Sequence, residues 1–251
     1  MPYTYSFSER FDFEPKTIYF LKEDSQRNIW IAASSGLYKF DGEEFYRFYH
    51  SAFSSSYTSI QEDSEGGIWC QNFTGQVFRV YGDSLQLFAN EANNMVGSLD
   101  FTVAYFPKVY IGTEKGLFEY DFKTRQKKLL SDAENKPIYK HLQPYHGGFL
   151  FVRENGVYKW TKNGEEEILV EIPDDNKSET DPSVRVMGNK LLLLGNHFKK
   201  AEKLPFVFEW EKDKGLSEKA IQVSDAINPS SFFYDSIQDL YWCGSRNGLY
   251  M

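Results

Sequence analysis

Most of the side chains that usually carry chemistry are scarce in this sequence. Two cysteines and four histidines occur in 251 residues, too few for a disulfide framework. His50, His141, His146 and His197 show no metal-ligand spacing; His141 and His146 are five apart and flank a Pro-Tyr pair. No nucleophile elbow or phosphate loop is present, and neither a metal nor a cofactor is implied. No apolar run approaches the roughly 18 residues that a membrane helix needs; the longest, "KLLLLG" (Lys190 to Gly195), is strand-sized. The opening "MPYTYSFSER" has no basic n-region and no apolar h-region, so no signal peptide and no membrane contact by this chain are expected. Basic residues are not concentrated beyond "KTRQKK" (Lys123 to Lys128), and the net charge is −8. Nucleic acid is therefore excluded as a partner, because phosphate binding needs a concentrated basic face. Capped windows of 3.6-residue periodicity are missing too, which argues against helices.

The chain does contain 41% hydrophobic and 18% aromatic residues, enough to build a core. They recur at a fixed period. A bulky residue followed six positions later by glycine occurs at Trp30/Gly36, Trp69/Gly75, Tyr110/Gly116, Leu150/Gly156 and Trp242/Gly248, with a degenerate copy at Leu192. The anchors are 39, 41, 40, 42 and 50 residues apart, and the last interval holds an extra polar stretch, Asn196 to Pro205. A period near 40 made of short β-rich segments is the signature of a propeller rather than a helical solenoid.

Each copy reads as four strands, a to d. In the first these are "TIYFLKED", "NIWIAA", "GLYKFD" and "EFYRFY". Strand b is apolar on both sides, as a sheet covered on both faces requires. Ser34-Ser35-Gly36 is the b–c turn. The pairs Asp24-Ser25, Asp63-Ser64 and Asp235-Ser236 stand six or seven residues before a Trp, where an Asp carboxylate can bond the backbone of the a–b turn. The sequence thus predicts one all-β domain over 1–251. It is a β-propeller of four-stranded antiparallel blades with six blade-equivalents, about 18–49, 57–88, 96–130, 138–170, 182–217 and an incomplete 231–251. The aromatic alternation of Tyr3 to Ser8 matches that of strand d, so this segment is expected to pair with the last strand and close six blades; the rival is a seven-bladed ring cut open. Cys70 and Cys243 each follow an anchoring Trp in non-adjacent blades, so both are expected to be free, buried thiols.

These segments resemble the two-component regulator propeller repeat, whose pattern runs Asp-x-x-Gly-x-Ile/Leu-Trp-Ile-Gly-Thr-x-x-Gly-Leu-x-x-Tyr/Phe-Asp. Asp24, Ile29, Trp30, Ile31, Gly36, Leu37, Phe40 and Asp41 match in one copy. Asp63, Gly66, Ile68, Trp69 and Gly75 match in a second, and Ile111, Gly112, Thr113, Gly116, Leu117, Tyr120 and Asp121 in a third. The departures are Arg27 for Gly and Leu150 and Leu192 for Trp. The resemblance implies the periplasmic sensor region of a bacterial hybrid histidine kinase, anchored in a membrane through segments outside this chain. It also implies recognition of a glycan or its breakdown product. Because "GLYM" stops mid-repeat, a piece of a longer ectodomain is expected.

The b–c turns differ from copy to copy in charge and size while their flanking strands stay apolar. They carry Ser34 and Ser35, Asn72 and Phe73, Glu114 and Lys115, Glu154 and Asn155, Asn196 and His197, and Arg246 and Asn247. Loops held by a rigid scaffold are where binding residues concentrate. The expected ligand contacts are Phe73 as a stacking surface, Lys115, His197 and Arg246 as donors, and Asn155 and Asn247 beside them. The expected role is a non-catalytic sensor of an oligosaccharide. Its other partners would be neighbouring ectodomain modules or a second receptor protomer. Two alternatives stand beside it: a propeller glycoside hydrolase or lyase, which needs convergent carboxylates or a Tyr/His pair with Arg, and a structural or dimerisation scaffold.

Overall fold

The structure, a computed structural model, describes residues 17–94, 99–132, 140–145, 147–153, 156–161, 163–171, 183–187, 190–195, 206–211, 215–216, 221–222, 229–235, 240–245 and 248–250. The chain divides into two compact units, 1–136 and 137–251. The predicted closing strand at Tyr3 to Ser8 lies outside the described residues.

The first unit holds three four-stranded antiparallel sheets. They are β1 to β4 (Ile18–Glu23, Ile29–Ala33, Gly36–Phe40, Phe45–Phe48), β5 to β8 (Tyr57–Glu62, Ile68–Asn72, Gln76–Tyr81, Ser84–Asn90) and β9 to β12 (Asp100–Tyr105, Lys108–Thr113, Gly116–Asp121, Lys127–Asp132). The second unit holds a fourth such sheet, β13 to β16 (Lys140–Tyr145, Gly148–Arg153, Gly156–Thr161, Glu166–Glu171). Each is a consecutive meander, the propeller blade that the sequence predicts. A short 3-10 turn, Ala92–Asn94, is the one helical element among the described residues.

Four complete blades are fewer than the six blade-equivalents expected. The fifth sheet departs from the pattern. It is β17 to β19 (Ser183–Met187, Lys190–Gly195, Phe206–Glu211) with two short strands, β20 (Gly215–Leu216) and β21 (Ile221–Gln222), both paired with β19. Two short pieces stand where one outer strand was expected. The extra polar stretch falls in the b–c connection, between the paired Gly195 and Phe206. The last sheet, β22 to β24 (Pro229–Asp235, Leu240–Ser245, Gly248–Tyr250), has three strands.

Apolar residues of strands a, b and c pack between blades. Trp30, Ala32 and Leu37 of the first blade meet Ile60, Cys70 and Phe78 of the second, and Trp69 and Val77 of the second meet Phe101, Val109 and Ile111 of the third. Trp69, Cys70 and Ile111 are completely buried. Cys70 is free, as expected, and burial pushes its thiol pKa up; the side chain of Cys243 lies outside the described residues.

The a–b turns of the first two blades are each built on an aspartate. Asp24 Oδ1 accepts the backbone N–H groups of Gln26 (2.9 Å) and Asn28 (2.8 Å), and its Oδ2 accepts the Trp30 indole N–H at 2.7 Å. Asp63 repeats this with Glu65 and Gly67 (both 2.9 Å) and the Trp69 indole (2.7 Å). The repeat therefore couples Asp to Trp directly, beyond the turn role read from sequence. Arg27, where the pattern has Gly, adopts φ +70° in its turn; Gly66 adopts φ +80°. The third blade lacks the pair: Tyr110 donates its hydroxyl to Glu119 (3.0 Å), which also holds Lys108 (2.7 Å).

This turn is expected to make stability acid-sensitive. Burial raises the Asp24 pKa, but hydrogen bonds from Asn28, Trp30 and Gln26 outweigh it and leave the carboxyl below its ordinary value. A depressed carboxyl contributes stability that is present above its unfolded pKa and is lost as pH falls through the folded one. The urea midpoint of the first unit is expected to drop between pH 5 and pH 3, and to drop less in Asp24→Asn. An equal drop in that variant would remove Asp24 from the explanation.

Candidate ligand-binding site

Hydrogen bonds join the b–c turns to the segments that lead into a strand a at one end of the first unit. Ser34 N–H donates to Thr17 O (2.9 Å), Phe73 N–H to Ser56 O (3.3 Å) and Glu91 N–H to Gly75 O (2.8 Å). Ser56 Oγ donates to Ser34 O (3.0 Å) and Asn72 Nδ2 to Ser54 O (3.2 Å), so the first two blades are tied across their boundary. Arg47 reaches back from strand d to donate Nε and Nη2 to Ser35 O (3.0 and 2.5 Å), with its guanidinium near the rings of Tyr38 and Tyr49.

The second b–c turn is one residue longer than the first. Trp30 lies opposite Lys39, but Trp69 lies opposite Arg79. Gln76 therefore takes the place of Gly36, and Gly75 sits inside the turn at φ +88°. The equivalence of Gly36 and Gly75 read from spacing is off by one. Asn72 ends strand b, buried, with Oδ1 accepting the N–H groups of Thr74 (3.2 Å) and Gln76 (2.9 Å). It shapes the turn and is not a surface contact. The added length lifts Phe73 out of the sheet, leaving it 53% exposed.

Phe73 has an aromatic partner that the sequence did not reveal. The β1–β2 register shifts between Ile18 and Phe20, so Tyr19 is an extra residue in the strand. Such a bulge re-aims a side chain. Tyr19 is 40% exposed, and its ring meets that of Phe73 edge-on at 5.0 Å between centroids.

Of the other predicted contacts, Lys115 is exposed in its b–c turn, but its ammonium is engaged. It donates to Asn93 O (2.9 Å) and Asn94 Oδ1 (3.1 Å). Asn94 is in turn held by Glu91, whose buried carboxylate also accepts Lys127 Nζ (2.8 Å to each oxygen) and the Tyr120 hydroxyl. Lys115 thus fastens the d–a connection to the next blade. Asn155, His197, Arg246 and Asn247 lie outside the described residues. The structure brings together Phe73 and Tyr19 and leaves Lys115 in a structural role. No group of three or more metal-ligating side chains occurs among the described residues, and no helix there is long and apolar enough to cross a membrane.

This geometry defines a class: a β-propeller with exposed aromatics on the turn end of adjoining blades. No family model and no curated protein matches the sequence. Solved structures share its fold. The extracellular domain described as that of the hybrid two component system BT3049 from B. thetaiotaomicron is similar at TM-score 0.68 and 14% identity, covering 98% of this chain and 35% of that one. Its counterpart from BT4673 of the same organism is similar at 0.67 and 16%, covering 92% and 33%. Virginiamycin B lyase from Staphylococcus aureus is similar at 0.67 and 13%, covering 92% and 78%. The chain spans about a third of the length of the two receptor domains. At such identities the likeness shows the fold alone.

Proposed function

We propose that the chain is a non-catalytic, ligand-sensing propeller module of a bacterial two-component sensor and that it recognises a glycan or oligosaccharide. The observation that carries this reading is the Tyr19–Phe73 pair, exposed on a turn face tied together by hydrogen bonds. Exposed aromatic rings offer apolar area at low entropic cost, which suits the C–H face of a sugar. The shared fold with sensor ectodomains supports the setting. In it the module is periplasmic, belongs to a membrane-anchored receptor, and adjoins further ectodomain modules or a second protomer. The six blade-equivalents and closure by residues 3–8 belong to the same proposal.

The lyase neighbour favours one alternative, a propeller hydrolase or lyase. That chemistry needs polar groups converging on a substrate. In the first unit the two buried carboxylates seen to pair with cations, Asp63 and Glu91, are held by Arg79 and Lys127.

A thermal-shift screen with oligosaccharides tests the proposal. A ligand that binds only the folded state at 100 times its Kd adds about 2.7 kcal/mol, a rise of roughly 5–10 °C in Tm for a chain of this size. A rise with the saccharide recovered intact supports a sensor. Cleavage of the saccharide would replace it with an enzyme.

A further inference from the structure

The bulge in β1 carries an inference that rests on the glycan-sensing reading and goes a step further. The same register shift recurs at the start of β5, between Tyr57 and Ser59, and both bulges face the last residue of strand b, Ala33 in one and Asn72 in the other. In β5 the extra residue is Thr58, half-buried and accepting a hydrogen bond from Gln71 Nε2 at 3.3 Å. There the bulge serves packing. In β1 the extra residue is Tyr19, which belongs to none of the core clusters formed by the described residues and whose ring meets, among those residues, the exposed ring of Phe73 on the next blade.

The pair is held in place from below. Thr17, two residues before Tyr19, donates its N–H to Ser34 Oγ (3.2 Å) and accepts the Ser34 N–H; Ser34 O accepts Ser56 Oγ; and Ser56 O accepts the Phe73 N–H. One chain of hydrogen bonds thus runs from the backbone beside Tyr19 to the backbone of Phe73. Its links are uncharged. Arg47 and Lys115, two cations at this end, are both engaged on backbone carbonyls, Ser35 O and Asn93 O. A carboxylate-bearing sugar would gain no free cation from either.

We infer that Tyr19 and Phe73 form a preorganised subsite for a neutral pyranose ring, with the β1 bulge as its specificity-determining feature. The edge-on rings present one face and one edge, so a sugar packs its C–H face on one ring while its rim contacts the other. Preorganisation of this kind lowers the ordering cost of binding.

Calorimetry on the full chain tests this, with neutral hexasaccharides of glucose, xylose and mannose and an oligogalacturonate as probes. At least one neutral hexasaccharide is expected to bind, with affinity unchanged between 0.05 and 0.5 M NaCl. Tyr19→Ala and Phe73→Ala are each expected to weaken it about tenfold or more, and Tyr19→Phe to change it less than about twofold, because stacking needs the ring and not the hydroxyl. Both alanine variants should keep the wild-type Tm, since both side chains are exposed. Retained binding in both alanine variants overturns the subsite and leaves the sensor reading standing, as does tighter binding of the oligogalacturonate. Binding of no saccharide at all overturns the glycan-sensing reading and the subsite with it.

Discussion

Replacing Asp63 with alanine is expected to destabilise the first unit by about 3–5 kcal/mol, the usual cost of removing one partner from a buried ion pair. The Asp63 side chain is fully buried and that of Arg79 is 13% exposed. The two meet at 2.9 Å, and the same carboxylate holds the Trp69 indole and two backbone N–H groups. The Arg79 guanidinium lies 4.8 to 5.5 Å from the ring centroids of Phe122, Phe106, Tyr81 and Trp69. Without Asp63 it becomes an uncompensated cation among aromatics, and three further donors lose their acceptor. Asp63→Asn keeps the turn's acceptor at Oδ1 but turns an amide N–H toward two donors, so it should recover only part of the loss. Urea unfolding followed by tryptophan emission measures both variants. A loss under about 1 kcal/mol in Asp63→Ala would show that the carboxylate is replaceable at this turn.

The same site shows how far the sequence can be read. The period near 40, the four strand segments and the Asp-to-Trp spacing were all legible, because each blade must repeat one turn and one wedge. The second glycine of "EGGIW" was not. A Cβ at Gly67 would lie 2.2 Å from Arg79 Nη2 and 2.5 Å from Asp63 Oδ2, so the residue is small to leave room for the ion pair. Arg79 comes from strand c, ten residues after Trp69, and no local pattern announces that it folds back over the turn. Spacing failed at Gly75 for a similar reason: a glycine six residues after Trp fits either a two-residue turn or a longer one capped by Asn72. Only the pairing of Trp69 with Arg79 distinguishes them.

For the candidate site the legible part was the turn and the hidden part was the bulge. Phe73 stood out as a bulky apolar residue in a b–c turn, and it is exposed as expected. Tyr19 read as one more apolar residue of an inner strand, because alternation assigns faces only while the register is regular. A single inserted residue changes its direction without changing composition. At Lys115 the hidden part is its partners. A lysine in a variable turn reads as free, and its two acceptors come from the d–a connection some twenty residues earlier, a contact that no short-range pattern encodes. The shared fold cannot repair such gaps, since sensor ectodomains and a lyase share it at similar TM-scores. Function has to be argued from side chains at the turns.

Gly116→Ala is expected to cost about 3 kcal/mol or more, through two separable effects. Gly116 opens strand c of the third blade at φ +132°, a conformation that side chains resist. Left-handed or related backbone costs on the order of 1–3 kcal/mol for a residue with a Cβ. An added Cβ would also lie 2.1 Å from Ser131 O, a backbone atom of the paired outer strand that cannot rotate away. Relief requires β11 and β12 to part next to the register shift between Leu117 and Phe118, where Leu117 is completely buried. Overpacking of this sort costs typically 1–3 kcal/mol more. Gly42→Ala separates the two effects. Gly42 has φ +103°, but nothing lies within 4 Å of its added Cβ, so only the backbone term applies and a loss of about 1 kcal/mol is expected. Both variants are compared by urea midpoint at constant m-value. Equal losses would mean that the outer strand yields freely, and that the third blade is held by β9 to β11 without a fixed place for β12.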